Sequence, residues 1–224
     1  MAWFTSDFNQ FFKDLAKNNN KEWFDTERPR YVRSVKEPFE AFVAAAIARI
    51  AKHDRSMAGL QPKEAIFRIN KDIRFSKDKT PYKLETSAIL SPAGRKDHSV
   101  PGIYFALGPE AVKFYGGCYQ PEKQQLLAIR EAMLRDGKAF RKAIEAKPFV
   151  SLFGTVQGEV NKVLAPEFKA AVAKEPLIAN KQFYVMAEMP AKTVTDPALL
   201  DHLMEHWHAM AAFNQWLAKA LVHA

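Results

Sequence analysis

The segment from Lys63 to Lys83 holds the side chains of this sequence that are best suited to binding chemistry. It contains seven Lys or Arg and three Asp or Glu, so +4 of the chain's net +8 lies in 21 residues. A strand over Ala65–Phe75 would place alternate side chains on opposite faces. The polar face would carry Arg68, Asn70, Asp72 and Arg74, and the apolar face Phe67, Ile69, Ile73 and Phe75, with Lys71 as the exception. Guanidinium groups bind planar anions in a bidentate manner, so the pattern predicts a phosphate or carboxylate site.

Further residues extend this predicted site. Positive charge would come from Arg68, Arg74, Lys79 and Lys83, and an amphipathic wall from Tyr82 and Tyr119. Gly116 and Gly117 precede a predicted helix, so they would present backbone N–H groups and the positive end of the helix dipole to an anion. Arg130 on that helix is a candidate outer member. A plain strand-to-helix turn is the alternative explanation of the two glycines.

Internal ion pairing is the main competing interpretation of the basic segment. Asp72 and Asp78 are close enough in sequence to pair with its arginines and hold them in place. The lysines of the turn 76–81 would then simply be solvated, as most lysines are.

Helical spacing dominates both ends of the chain. Ser6 or Asp7 would cap a first helix, whose apolar positions are Phe8, Phe11, Phe12 and Leu15. Asn18–Asn20 would end that helix, Pro29 would break a second one, and a third would run over residues 36–52. We expect the many aromatic residues here to pack in a core. At the other end, Asp196-Pro197 would open a long C-terminal helix.

Short strands occupy the middle of the chain. Besides Ala65–Phe75, the predicted strands are Leu84–Leu90, Ile103–Leu107, Ala111–Tyr115 and a late Gln182–Met189. Their close spacing implies antiparallel pairing, with a turn at residues 107–110. Helices return at Pro121, with a buried stripe of Leu126, Leu127, Ile129, Met133 and Leu134 and an end at Gly137. The stretch 150–180 has weak periodicity.

These elements predict a single α+β domain over residues 1–224. It would have a mainly antiparallel sheet (about residues 64–119 plus a late strand at about 182–189), packed by N- and C-terminal helices. With 48% hydrophobic residues, the chain can bury a substantial core.

Composition points to a cytoplasmic protein with anionic partners. The pI near 9.5 favours phosphates, carboxylates or nucleic acid. Cys118 is the single cysteine, which fits a reducing compartment. The amino terminus lacks the pattern of a signal peptide, and the longest apolar run, residues 41–48, is too short to span a membrane.

No known catalytic motif identifies a reaction. The phosphate loop, the dinucleotide loop and the nucleophile elbow are absent, and we expect neither a cofactor nor a metal. His202–His206 matches the H-x-x-E-H zinc pattern, but residues 207–224 lack the carboxylate that would complete it. Two solvated histidines are the preferred interpretation. Cys118 would be a low-pKa thiol if the following helix pointed its dipole at it.

Several segments together resemble one known family. They are residues 18–24 (NNNKEWF), Phe67-Arg68, the block 74–83 (RFSKDKTPYK), 102–105 (GIYF), 116–121 (GGCYQP) and 127–130 (LAIR). Over roughly residues 4–190 the chain resembles the bacterial and fungal family called domain of unknown function 2461.

The resemblance implies a single α+β domain and implies no activity. The chain departs from the family pattern at residues 154–162, where a Lys-Arg/Pro/Gly-type stretch is replaced by a looser one. If that stretch lines the site in relatives, the ligand here would differ.

Four classes of function remain open from the sequence. The leading one is a basic pocket that binds a small phosphorylated or carboxylated ligand. The second is nucleic-acid binding by the same surface, for which no motif is present. The third is an enzyme that acts on an anionic metabolite, with Asp72 or Asp78 as the only local candidates for a general base. The fourth is a structural or interaction role.

Overall fold

The computed structural model describes residues 2–97 and 100–222. The chain divides into two compact units. Unit 1 comprises residues 1–95, 104–114 and 188–204, and unit 2 comprises residues 96–103, 115–187 and 205–224. The expectation of a single domain stays a prediction.

Helices form the first part of unit 1 as predicted. They are α1 (Ser6–Lys17), α2 (Lys21–Thr26), α3 (Arg28–Tyr31), a π-helix (Val32–Lys36) and α4 (Glu37–Ala51). Asn20 caps α2, because its side chain accepts a hydrogen bond of 2.9 Å from the Trp23 N–H. Pro29 lies in the first turn of α3, where its missing N–H costs no hydrogen bond, and the predicted break before it is confirmed.

Aromatic rings fill the core of unit 1. Phe8, Phe11, Phe12 and Leu15 are fully buried, which confirms the predicted apolar face of α1. The Phe11 ring alone lies 5.5–6.3 Å from the rings of Phe12, Trp23, Phe24 and Tyr31. Such edge and tilted contacts add to the area that the rings bury, so these helices are held by side-chain packing.

The sheet has four antiparallel strands in sequential order. They are β1 (Thr86–Leu90), β2 (Gly102–Leu107), β3 (Ala111–Cys118) and β4 (Phe183–Pro190). The predicted turn after Leu107 is confirmed, since the Gly108 N–H donates to the Ala111 carbonyl at 3.2 Å. The antiparallel sheet, together with helices before it, between β3 and β4 and after β4, confirms the α+β class.

The predicted strand over residues 65–75 is wrong. Residues Pro62–Ala65 form a short helix, α5, and the following residues make only isolated bridges, Ile66 to Ala88 and Asn70 to Tyr82. One cause is Pro81, which accepts from the Lys71 N–H but has no N–H to donate in return. The predicted apolar face holds for Phe67, Ile69 and Ile73, which are partly buried, but not for Phe75, which is 95% exposed.

The helices after β3 differ in detail from the prediction. They are α6 (Lys123–Ile144), α7 (Lys147–Phe153), α8 (Pro166–Val172) and α9 (Leu199–Leu221). α6 continues past Gly137 with a kink at Asp136, whose φ of −137° and ψ of 45° are not helical. Its buried face carries Ala128, Ile129, Arg130, Ala132 and Met133, whereas Leu127 and Leu134 are 44% and 48% exposed, contrary to prediction.

Single turns of 3₁₀ helix connect the larger elements at Arg55–Met57, Gly94–Lys96, Pro176–Ala179 and Ala191–Thr195. Among residues 2–97 and 100–222, no helix has both the length and the apolar character needed to cross a bilayer.

Candidate functional site

Residues 66–83, which we call the basic ribbon, form two antiparallel segments joined by a turn within unit 1. The Lys71 N–H donates to the Pro81 carbonyl and the Lys83 N–H to the Ile69 carbonyl, each at 2.8 Å. Asn19 fastens the base of the ribbon, since its amide accepts from the Tyr82 N–H at 3.1 Å and donates to the Tyr82 carbonyl at 2.9 Å. The ribbon is therefore tied to the loop between α1 and α2 at one point.

Tyr82 serves as the apolar anchor of the same base. Its ring stacks on Phe24 with 4.0 Å between ring centroids and is 5% exposed. The structure thus gives Tyr82 a packing position, and Tyr82 is not among the residues that line the pocket described below.

Internal ion pairs occupy the tip of the ribbon. Arg74 binds Asp72 through two side-chain contacts of 2.9 and 2.7 Å, and Lys71 binds Asp78 at 2.8 Å. The Lys79 ammonium donates to the Ile73 carbonyl at 3.0 Å. The charges at the tip therefore pair with one another, as expected if the basic segment forms an internal network of ion pairs.

The two carboxylates of the tip are held in their ionised form. The bond from Arg74 lowers the pKa of Asp72, and the bond from Lys71, followed by those from Thr80, lowers the pKa of Asp78. A general base works best with a pKa near the operating pH, so these shifts make both carboxylates weaker bases.

A pocket of ≈240 Å³ opens within unit 1 at the base of the ribbon. Its cationic side chains are Lys36, Lys63, Arg68 and Arg95, and its acidic side chain is Glu40. The rest of the lining is Tyr31, Phe39, Ile66, Phe67, Ile69 and Thr86. Of the described side chains that the sequence predicted to bind the ligand, Arg68 is the one that lines this pocket.

Few acidic side chains neutralise the cations of the pocket. Lys36 approaches Glu40 at 3.9 Å, with both side chains about half exposed. Lys63, Arg68 and Arg95 are exposed and make no ion pair with any residue of the described ranges 2–97 and 100–222. Burial raises the pKa of Tyr31 to about 12, so its phenol keeps its proton and remains a hydrogen-bond donor.

Lys83 adjoins the pocket through Phe67. Its ammonium lies 5.5 Å from the centroid of the Phe67 ring. Burial and, second, the like charge of Arg68 lower the pKa of Lys83, while the charge of Glu85 acts in the opposite direction. Glu85 itself is bound by Lys113 at 3.1 Å.

In unit 2, the predicted glycine donors lie inside a strand. Gly116 and Gly117 belong to β3, and α6 begins only at Lys123. The Gly117 N–H donates to the side-chain oxygen of Asn214 at 2.9 Å, so this donor is used within the fold. Gly117 has a φ of +95°, and a side chain on either glycine would collide with its neighbours. Both glycines are explained by close packing.

The low-pKa thiol suggested for Cys118 is wrong. Cys118 is fully buried at the end of β3, and burial, followed by the nearby Asp97, raises its thiol pKa to about 11. The helix whose dipole was expected to lower this pKa, α6, begins only at Lys123. A buried thiol in apolar surroundings resists ionisation.

Arg130 is a buried residue of α6. Its Nε donates to the Ile178 carbonyl at 2.8 Å and its Nη2 to the Asn180 carbonyl at 3.1 Å. Its guanidinium also lies 5.8 Å from the centroid of the Phe168 ring, and burial lowers its pKa. These bonds tie α6 to the segment before β4.

Tyr119 is 59% exposed and meets the edge of Tyr184, with 5.2 Å between the ring centroids.

The histidines of the H-x-x-E-H pattern are not both solvated. His206 is 3% exposed, and its ring lies 5.8 Å from that of Phe153. His202 is half-buried, with its Nε2 at 3.4 Å from the Asp196 carboxylate. In the ranges 2–97 and 100–222, no group of three or more His, Cys, Asp and Glu has the geometry to hold a metal ion.

Most of the pocket was missed from the sequence. Lys63 was counted in the basic segment but not singled out, while Lys36 and Arg95 lie far from Arg68 along the chain. Nothing in the local pattern around Lys36 or Arg95 distinguishes them from surface residues. Only the folding of the π-helix and of the loop after β1 against the ribbon brings Lys36 and Arg95 to the same pocket.

A profile of the family described as "Conserved hypothetical protein (DUF2461)" matches residues 7–216. No curated protein matches the chain. The match covers nearly the whole sequence, including the Asn18–Asn20 loop and the basic ribbon that it fastens, and it agrees with the resemblance noted from the sequence. The chain therefore belongs to the DUF2461 family of conserved hypothetical proteins.

Proposed function

We propose that the pocket of unit 1 binds a small phosphorylated or carboxylated ligand. The observation that carries the proposal is the imbalance of charge in the lining, with four cationic side chains and one carboxylate. Three of the four cations make no ion pair among the described residues. Like charges gathered in a concave site raise the local concentration of anions.

The chemistry of the lining indicates how such a ligand would be held. Arg68 and Arg95 can each form paired hydrogen bonds with a carboxylate or phosphate, while Lys36 and Lys63 act as point charges. Phe39, Phe67 and Ile69 offer an apolar surface to the body of the ligand. A volume of ≈240 Å³ is below the roughly 300 Å³ at which ordinary ligand clefts begin, which favours a small metabolite.

A thermal-shift screen tests this proposal. The panel contains phosphorylated and carboxylated metabolites and short oligonucleotides, each at two salt concentrations. A ligand at 100 times its Kd stabilises the protein by about 2.7 kcal/mol, or roughly 5–10 °C in Tm for a chain of this size. We expect a salt-tolerant shift with one class of small anion.

Two arginine variants provide a matched comparison. Arg68→Gln should abolish the shift, because it removes a cation from the lining of the pocket. Arg55→Gln removes another exposed arginine of unit 1, one that does not line the pocket, and should keep the shift. Equal shifts in both variants, or no shift with any small anion, would contradict the proposal and leave a structural role for the basic segment.

Nucleic-acid binding is a second candidate, supported by Phe75. This ring is 95% exposed at the tip of the ribbon, with the Arg74 guanidinium 5.8 Å from its centroid. Exposed aromatics beside cations stack on the bases of single strands. In that case only oligonucleotides would shift the Tm, the shift would vanish at high salt, and Phe75→Ala would abolish it.

A further inference from the structure

Two residues with hydroxyl groups line the unit 1 pocket and lack a hydrogen-bond partner for them in the described protein. They are Tyr31, at the end of α3, and Thr86, the first residue of β1. Tyr31 is half-buried, and Thr86 is only 7% exposed. Neither hydroxyl makes a hydrogen bond to a residue of the ranges 2–97 and 100–222. Because most buried polar side chains in proteins are bonded, the pair requires a functional or structural explanation.

Both side chains are held in place by the surrounding fold. The Tyr31 ring contacts the rings of Phe11 and Phe24, with 5.5 and 5.1 Å between centroids. Thr86 belongs to the sheet, and its β-branched side chain has few allowed rotamers. A ligand that bonds to these hydroxyls would therefore lose little binding energy to the ordering of side chains.

Glu40 adds an acceptor that a simple anion could not use. It is the acidic residue among the described residues that line the pocket. Its charge is the second cause, after burial, of the raised pKa of Tyr31, so the carboxylate acts on the phenol. A carboxylate repels an anionic group but accepts a hydrogen bond from a hydroxyl group. A ligand with both kinds of group would suit the cations and Glu40 together.

We propose that the unit 1 pocket selects anions that carry hydroxyl groups, namely phosphorylated or carboxylated polyols and sugars, through hydrogen bonds to Tyr31 and Thr86. The inference rests on the anion-binding function proposed above and names its ligand class. The cations of the pocket bind the phosphate or carboxylate. Phe39 and Phe67, which also line the pocket, pack against the carbon chain of the ligand.

Isothermal titration calorimetry of the full chain with two matched pairs of probes tests this inference. Glycerol 3-phosphate is compared with propyl phosphate, and glycerate with propionate. Within each pair the anionic group and the carbon chain are the same, and only the hydroxyl groups differ. We expect the hydroxylated member of a pair to bind roughly tenfold more tightly, the effect of about one hydrogen bond. This ratio should not change with salt, because hydroxyl groups carry no charge.

Two variants assign the preference to the named residues. Tyr31→Phe and Thr86→Val each remove one hydroxyl and keep the approximate shape of the side chain. Each should weaken binding of the preferred hydroxylated probe roughly tenfold and leave its hydroxyl-free counterpart unchanged. An equal loss for both members of the pair would show that the variants disturb the anion site as a whole, and it would overturn selection by these hydroxyls.

The same variants allow a test that needs no ligand. A hydroxyl without a partner in the protein does not stabilise the fold, so neither variant should lower the urea midpoint. Ser91→Ala is the control and should lower the midpoint, because Ser91 is fully buried and donates to the Gly94 carbonyl at 3.3 Å. A loss in Thr86→Val as large as that in Ser91→Ala would mean that the Thr86 hydroxyl is bonded within the protein, and would overturn its role.

The failure of this inference can be told apart from the failure of the anion site. Equal binding of both members of each pair would leave the anion site in place and overturn selection by hydroxyl groups. The same conclusion follows if an anion without hydroxyl groups gives the largest shift in the thermal-shift screen. If neither the four probes nor any small anion of the screen binds, both proposals are wrong.

Discussion

Three cations of one short segment illustrate how surroundings decide the use of a residue. Arg74 is 76% exposed and engaged with Asp72, so its charge is already compensated. Arg68 is also an arginine and lies only six residues before Arg74. It nevertheless lines a pocket and makes no ion pair among the described residues. Lys83 is half-buried against Phe67. Residue type identified all three as cations, but it could not show which of them is paired, which lines a pocket and which is half-buried.

The buried thiol of Cys118 permits a prediction at the same scale. With a pKa of about 11, native Cys118 is almost entirely protonated at pH 8. We expect its reaction with a disulfide reagent to be on the order of a hundredfold slower in the native protein than in denaturant, where its pKa is ordinary.

Both rates are measured from the absorbance of the thiolate that the disulfide reagent releases. Cys118→Ser is the control for reagent breakdown, since the chain has a single cysteine. A native rate close to the denatured rate would mean that β3 opens readily or that the thiol is ionised after all.

At the scale of elements, hydrogen-bond capacity explains why the basic segment is not a strand. A regular strand needs a donor at every second position of its partner, and Pro81 supplies none. Among the described residues, the ribbon instead pairs with itself at the bridge between Asn70 and Tyr82, and Asn19 fastens it to the preceding loop. The sequence showed an extended, two-faced segment, but the register and extent of pairing depended on partners distant along the chain.

The two glycines of β3 allow a matched test of packing. Gly117 has a φ of +95°, and a Cβ there would collide with the backbone oxygen of Phe183. A Cβ on Gly116 would meet the flexible side chain of Met210. We expect Gly117→Ala to cost about 3 kcal/mol of unfolding free energy, from strain and overpacking together.

Gly116→Ala should cost roughly 1–2 kcal/mol, because a methionine can rearrange. Urea unfolding monitored by circular dichroism measures both values. The opposite order of the two variants would show that β3 relaxes around Gly117 and that its positive φ carries little strain.

At the scale of the whole molecule, several carboxylates link stability to pH. Arg30 binds Asp7 at 2.6 Å and Asp14 at 3.0 Å, and its side chain is only 22% exposed. The bond from Arg30 lowers the pKa of Asp7 below its unfolded value. A depressed carboxyl pKa stabilises the fold above the unfolded pKa, near 3.9, and that contribution is lost as pH falls through the folded pKa.

We therefore expect Tm to be steady from neutral pH down to about pH 5 and to fall below about pH 4. Asp7→Asn should lower Tm at pH 7 by roughly 2–4 °C, about 1 kcal/mol, and should weaken the acid dependence. Differential scanning calorimetry across pH measures both effects.

Asp25→Asn is the matched control. Its partners Lys21 and Arg28 are 83% and 57% exposed, so water screens these pairs and the Tm should hardly change. A larger effect of Asp25 than of Asp7 would contradict the view that partial burial of Arg30 strengthens its network.

Composition and periodicity alone determined the class of the protein, its helical ends, its central strands and the most strongly basic segment. These are properties of neighbours in the sequence, since helical spacing, strand alternation and caps are local. The membership of the pocket was decided by tertiary structure, because its cations come from three separate parts of the chain: Lys36, the pair Lys63 and Arg68 of the basic segment, and Arg95. Burial, which separates Lys83 from the exposed lysines and raises the pKa of Cys118, likewise arises only when distant segments exclude water.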